Sequence, residues 1–299
     1  MRNRTISFVL ACALASVACG DSPPPPAAAP PSPPVAPTPP PVAAPAPPTA
    51  PAATVAAAPA PPPIPQEDRP AAQAITVPPE LQKIVDAADR SPQDKAMDAG
   101  RHPGETLAFL GVKPGMKIVD LGAGTGYTTE LLSRAVGPKG KVYSVNPKTV
   151  PKPLAEIYAA RIKGLKNVVH IERDLDEPLP ADVKNLDAAV FIMLYHDTVY
   201  WGADRDKMNK AMLAALKPGA PYVVIDHNAR PGEGTTVAKT NHRIEEKVVK
   251  DEVAKAGFKF DSEGFFLRNP DDARDWSASP GEAKERRGTS DRFVLKFKK

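Results

Sequence analysis

The residues predict an α/β fold, a doubly wound and mostly parallel sheet with helices on both faces, preceded by a disordered Pro/Ala-rich tether. Three observations carry this. From Lys117 onward, apolar runs of strand length alternate with helical patterns across short connections. The first of these runs ends in "VDLGAGTGY" (Val119–Tyr127), three glycines at alternate positions opening straight into a helix. Between Asp21 and Pro79 the chain is almost entirely Pro and Ala, with 24 of its 38 prolines, and such a stretch builds neither helix nor sheet ladder.

The N-terminus reads as a targeting segment. Residues 1–18 open with Arg2 and Arg4 and continue in "ISFVLACALASVA", too short an apolar run to span a bilayer and ending in small residues, the signature of a secretory signal peptide. Cleavage after Ser16-Val17-Ala18 leaves Cys19 first, an arrangement that resembles a bacterial lipoprotein box in which that cysteine is lipidated, with Ser16 where Leu is usual. Simple secretion and an uncleaved anchor are the rivals. The only cysteines are Cys12 and Cys19, so the mature chain has neither a disulfide framework nor a cysteine metal site. The expected location is the periplasmic side of the cell envelope, anchored through Cys19. Residues 19–80 form an extended, polyproline-like spacer, and residues 81–299 are one domain's worth of chain.

Within that domain, "KIVDLGA" (Lys117–Ala123) is a first strand, followed by a helix over Tyr127–Val136. Gly140–Asn146 is a second strand behind the turn Gly137-Pro138-Lys139-Gly140, and a helical spacing runs from Pro153 to Leu165. Asn167–Asp174 is a third strand. Asn185–Asp197 contains the most apolar strand, expected at the centre and buried on both faces. A helix from about Asp204 to Leu216 stops at Lys217-Pro218-Gly219 and leads to a fifth strand, Pro221–His227. The helix Ile244–Ala256 stops at Gly257, followed by "FKFDSEGFFLRN" and the terminal strand "RFVLKFK". Sheets of this kind bind ligands at the carboxyl ends of their strands, where strand order reverses.

Charge is balanced, 39 Lys and Arg against 35 Asp and Glu, and no basic run is interleaved with aromatics, so nucleic acid is not the expected partner. No repeat or heptad suggests an oligomer, and a monomer is expected. Gly122, Gly124 and Gly126 give G-x-G-x-G, whereas a dinucleotide fingerprint wants its third glycine where Tyr127 stands. Asp120, two residues before the first glycine, would repel a pyrophosphate but suits a ligand bearing an ammonium and a sulfonium. A nicotinamide-dependent oxidoreductase therefore ranks low.

The stretch "LGVKPGMKIVDLGAGTGYTTELLSRAVGPKGKVYSVN" resembles the first two motifs of class I S-adenosylmethionine-dependent methyltransferases. Further stretches, "FLGVKPGM", "YHD" (Tyr195–Asp197), "NHRIE" (Asn241–Glu245), "LRNPDD" (Leu267–Asp272) and "RGTSDRFVLKF" (Arg287–Phe297), resemble a group of uncharacterised, often exported bacterial predicted methyltransferases. The resemblance implies a Rossmann-like sheet of seven strands with the last inserted antiparallel, and S-adenosylmethionine as cofactor. By position it implies that Asp120, Gly122, Gly124, Gly126 and Tyr127 form the loop for the methionine part and the ribose. Asn146 stands where an acid usually takes the ribose hydroxyls, and Asp174 with Leu175 stands where adenine is read.

For chemistry, Tyr195-His196-Asp197 follows the fourth strand in place of an Asn-Pro-Pro-Tyr motif, which argues against methylation of a nucleobase or amide nitrogen. His196, His227 and His242 fall after the fourth and fifth strands or at the next helix, so they are expected to converge, with His196 as general base and Asp197 orienting it. His170 reads as structural and His102 as part of an N-terminal lid, while Arg101 reads as one side of a surface ion pair or as a binder of an acidic substrate. Asp226-His227-Asn228 resembles the acidic pair of cation-dependent catechol-type O-methyltransferases, but the matching place after the fourth strand is apolar, and no metal is assigned. The expected function is methyl transfer to an unidentified small-molecule or lipid-like acceptor, with a non-catalytic S-adenosylmethionine-binding module as the alternative.

Overall fold

The computed structural model describes residues 70–299. The expected signal peptide, Cys19 and most of the tether lie outside the described residues. Ordered packing begins before Leu81: the Gln73 N–H donates to the Phe265 carbonyl at 3.2 Å, and Ile75 and Val77 pack against the core. The Pro/Ala bias gives way there to apolar side chains that have a surface to bury on.

Three helices precede the sheet, α1 (Pro79–Val85), α2 (Pro92–Arg101) and α3 (Pro103–Leu110). Each starts with proline in its first turn, where the missing N–H costs nothing, and the Ser91 side chain caps α2 by accepting from the Asp94 N–H. The alternating segment follows as β1 (Lys117–Leu121), α4 (Tyr127–Val136), β2 (Lys141–Asn146), α5 (Lys152–Ile162), β3 (Val168–Glu172), β4 (Ala188–Ile192), α6 (Asp197–Tyr200), α7 (Arg205–Ala215), β5 (Pro221–His227), α8 (Ala238–Asn241), α9 (Glu246–Lys255), β6 (Lys259–Gly264) and β7 (Arg292–Lys298).

The strands form one sheet in the order β3-β2-β1-β4-β5-β7-β6, and β7 runs antiparallel to both β5 and β6. Because side chains alternate across a strand, the sheet serves two cores. Ile118, Val142, Val190, Val223 and Val294 face α1, α3 and α4, whereas Leu121, Val145, Phe191, Val224 and Leu295 face the layer that includes α7 and α9. β4, buried along nearly its whole length, is central as expected.

Two consequences position a site. Strand order reverses between β1 and β4, opening a crevice above their carboxyl ends. The antiparallel insertion sets the start of β7 beside the end of β5, with Arg292 opposite His227.

Candidate active site

The turn after β1 is built around its glycines. A side-chain carbon at Gly122 would collide with Leu194 and lie 2.8 Å from Phe191, so the loop packs flush against β4 and the chain after it. Gly124, at φ +57°, meets nothing within 4 Å on its side-chain face. That open face borders a cavity of about 1120 Å³ at the strand ends. Asn146, ending β2, clamps the loop: its Oδ1 accepts from the Gly124 N–H (2.8 Å) and its Nδ2 donates to the Gly124 carbonyl (3.1 Å). One lone pair and one N–H of the amide remain uncommitted. Arg161 of α5 braces the loop from behind, donating to the Thr125 carbonyl and pairing with Asp94 and Glu130.

The expected loop residues divide. Gly124 and Asn146 line the cavity; Asp120, Gly122, Gly126, Tyr127, Asp174 and Leu175 do not. Asp120 is buried behind the loop, where it accepts from the Thr129 hydroxyl at 2.6 Å, and burial pushes its carboxyl up to about 7. The Tyr127 hydroxyl donates to Asp98 and its ring lies under the Arg101 guanidinium, 4.6 Å from the ring centre, so it fastens α4 to α2. Asp174 is exposed and paired with Lys148 at 3.2 Å, and Leu175 belongs to the core.

At the other end of the cavity the expected convergence of histidines is present: His196, Asp197, His227 and His242 all line it. His196 is nearly buried. Its Nδ1 meets Asp226 Oδ1 at 2.7 Å, its backbone N–H donates to Asp226 Oδ2 at 2.7 Å, and its Nε2 lies 3.0 Å from Asp197 Oδ1 and 3.2 Å from His242 Nδ1. Burial alone would lower its pKa, but the two carboxylates win and hold it at about 10. A ring gripped on both nitrogens is a poor general base, so geometry departs from the role expected for His196, while its contact with Asp197 is the expected one. Asp197 is held well below the usual carboxylate range by His196, His242 and the hydroxyl of Tyr200, against the opposing effect of burial. The His227 Nδ1 contacts the Ser290 hydroxyl at 2.7 Å, and burial among cations keeps the ring uncharged. Tyr195 points the other way: its hydroxyl donates to Glu252 (2.8 Å) and accepts from Asn209 (2.8 Å), inside the α7–α9 layer.

The family described as Protein-L-isoaspartate(D-aspartate) O-methyltransferase (PCMT) matches residues 82–174. The ubiquinone/menaquinone biosynthesis C-methyltransferase UbiE of Idiomarina loihiensis is 30% identical over 123 residues, covering 40% of this chain and 46% of that protein. Its counterpart in Vibrio vulnificus is 31% identical over 124 residues, covering 40% and 45%. The chain thus spans less than half the length of these relatives. Among solved structures, the [4+2]-cyclase SpnF superposes with a TM-score of 0.50 at 18% identity, over 67% of this chain and 80% of that one. The fold is that of the class I S-adenosylmethionine-dependent methyltransferases. S-adenosylmethionine is the cofactor of that class, and the open face of Gly124 beside Asn146 is a cradle that fits it.

What braces the histidine end of this methyltransferase fold was not evident in the sequence. Arg243, fully buried, pairs with Asp272 at 2.8 Å, donates to the Asn228 and Trp276 carbonyls and lies under the Trp276 ring. Asp291, also buried, meets Arg274 (2.9 Å) and Arg268 (3.4 Å). The neighbours of these charges line the cavity: His242 precedes Arg243, and Arg292 follows Asp291. The stretches "NHRIE", "LRNPDD" and "RGTSDR" therefore meet in one ion network behind the wall. Asp226, which the sequence offers only for a metal reading, is the partner that fixes His196; the available signal is a carboxylate as the sixth residue of an apolar strand. Arg101 lines the cavity with its guanidinium over the Tyr127 ring rather than in a surface ion pair, whereas His102 pairs with Glu105 and His170 packs at an angle against Tyr158, both away from it.

Proposed function

We propose that the chain is an S-adenosylmethionine-dependent methyltransferase acting on a small-molecule or lipid-like acceptor. One observation carries this: a single cavity of about 1120 Å³ runs from Gly124 and Asn146 to His196, His227 and His242, with room for two ligands end to end. S-adenosylmethionine supplies a methyl group on a positively charged sulfur. The chain's own part is chiefly to position and to exclude water. Gly124 presents bare backbone, and the spare lone pair and N–H of Asn146 suit a pair of ribose hydroxyls. At the acceptor end, Nε2 of His227 has no hydrogen-bond partner among the described residues, which leaves its lone pair free to accept a hydrogen bond from an acceptor hydroxyl or amine and so orient it; the burial and nearby cations that keep the ring uncharged make it a positioning group and not a base.

The rim supports a lipid-like acceptor. Trp201 and Leu154, 44% and 42% exposed, line the cavity with Val150 and Met193, an apolar lip that suits an acceptor with a hydrocarbon part. The relatives' names imply carbon acceptors in one case and an isoaspartyl oxygen in the other, so they do not choose the atom. Export and lipidation at Cys19 belong to the same proposal and would tether the domain to a membrane that holds lipid-like acceptors; no helix among the described residues is long and apolar enough to cross one. The rival reading, a non-catalytic module, draws on Asn146 in place of the usual acid.

Calorimetry of the full chain with S-adenosylmethionine is the first test, and absence of binding overturns both readings. Transfer of labelled methyl groups into lipid, quinone or protein extracts supports the enzyme, and tight binding without transfer to any extract supports the module. Cys19→Ala is expected to move the protein from the membrane to the soluble fraction; an unchanged distribution overturns the anchor.

A further inference from the structure

Three side-chain atoms at the acceptor end of the cavity converge on one point. His196 Nε2, Asp197 Oδ1 and His242 Nδ1 are 3.0, 3.2 and 3.4 Å apart pairwise. Ligand atoms about 2.0–2.1 Å from a shared ion lie roughly 2.9–3.4 Å from one another, the lower figure for octahedral and the upper for tetrahedral angles. All three edges of the triangle fall inside that range without moving a rotamer. The same three residues form a group whose ligand atoms cluster tightly enough to hold an ion.

We propose that His196, Asp197 and His242 bind a single divalent transition-metal ion, its remaining positions open to the cavity. Two imidazole nitrogens and one carboxylate oxygen select zinc, iron, cobalt or nickel over calcium and magnesium, which prefer all-oxygen shells. Three protein ligands with an open side is the form of a site that admits water or a substrate oxygen.

The surroundings are those such a site needs. Asp226 takes Nδ1 of His196 at 2.7 Å and so turns Nε2 toward the shared point, the carboxylate–histidine relay found behind metal-bound histidines. Its second oxygen fixes the His196 backbone. The Tyr200 hydroxyl donates to the liganding oxygen of Asp197. His242 sits at φ +50°, the left-handed conformation that ends α8, and is followed by the buried Arg243–Asp272 pair. His196 and Asp197 open α6, His242 ends α8, and these two short helices pack together.

This site differs from the Asp226-His227-Asn228 arrangement that the sequence raises and sets aside: there Asp226 would be a ligand, and here it holds His196 from behind. The inference does not depend on methyl transfer, although an ion so placed would lie where an acceptor oxygen arrives.

The test uses tag-free full-length protein dialysed against chelator, titrated with Co²⁺ and, separately, with Zn²⁺ followed by gel filtration and metal analysis. Expected are one equivalent retained, visible cobalt d–d bands, and no competition from excess Mg²⁺. His242→Ala, partly exposed and so tolerant of truncation, and Asp197→Asn should each weaken binding at least tenfold, and Asp226→Asn about 10–100-fold. His102→Ala, remote from the cluster, should bind as the wild type does. No uptake by the wild type, or uptake that His242→Ala leaves unchanged while its thermal transition is retained, overturns the site. Calorimetry with S-adenosylmethionine on the metal-free protein separates the two proposals. Cofactor binding without metal uptake removes only the metal site, and the reverse removes only the methyltransferase reading.

Discussion

The two ends of the cavity stand on neighbouring strands but are held by different means. The glycine end is local: Gly122, Gly124 and Gly126 lie within one turn, clamped by the Asn146 amide and braced by Arg161, almost all of it through backbone hydrogen bonds. The histidine end is assembled from residues 196, 197, 226, 227, 242, 290 and 292, and buried charges such as Arg243–Asp272 and Asp291–Arg274 hold it together. A backbone-built turn tolerates little change in its own residues or in the two side chains, Asn146 and Arg161, that grip its backbone. A charge-built wall is sensitive to residues that never touch a ligand.

Variants can break or sharpen that contrast. The largest effect is expected from Asp272→Ala, which leaves Arg243 buried without its carboxylate; a loss of about 3–5 kcal/mol in urea unfolding is expected. A loss below about 1 kcal/mol would mean that the wall does not depend on that pair. Gly124→Val comes next. Its φ of +57° strains any branched side chain by about 1–3 kcal/mol, and the new atoms enter the cavity. S-adenosylmethionine affinity by calorimetry should fall far more than stability does.

Asp120 supplies a pH test confined to the glycine end. Its folded-state value of about 7 lies above its ordinary 3.8, so the folded protein binds more protons in between and stability falls as pH rises from about 4 to 7. Asp120→Asn should flatten the melting temperature across that window. A wild-type curve already flat there would show that the carboxyl is not shifted.

Asn146→Asp has a smaller effect with an informative sign. If the amide is chiefly the loop clamp, the acid loses its donation to the Gly124 carbonyl and repels it, and cofactor affinity drops severalfold. If Asn146 is chiefly a ribose ligand, the acid strengthens binding instead. Asp174→Ala, exposed and paired only with Lys148, should leave cofactor affinity within twofold; a larger loss would place Asp174 at the adenine after all.

The contrast also explains what the sequence disclosed. Helix Tyr127–Val136 and strands Pro221–His227 and Arg292–Lys298 match their expected bounds, because glycine, proline or charged residues mark their ends. Helices α1 to α3 went unassigned: they are short, and proline at each start reads locally as more tether. At the site, strand ends were legible but side-chain direction was not. Tyr195 and His196 are adjacent, yet one hydroxyl enters the α7–α9 layer and the other ring enters the cavity. Asp120, one residue short of its strand's end, falls behind the loop rather than in its mouth. The pairing of Asp226 with His196, thirty residues apart, depends on β4 and β5 lying side by side with Ile192 opposite Ile225, a register that no local pattern encodes.

The place of β7 between β5 and β6 has a consequence for synthesis. Until residues 292–298 emerge, both flanking strands keep an unpaired edge, the kind of surface that recruits stray chains. Closure then waits on the β5–β7 pairing, which joins Pro221 to Lys298, farther apart in sequence than any other described strand partners, a slow event in any folding chain. Arg292 arrives opposite His227 in that same step. A nascent or truncated chain therefore has no finished ligand chamber, and binding competence appears together with the last strand rather than growing by degrees.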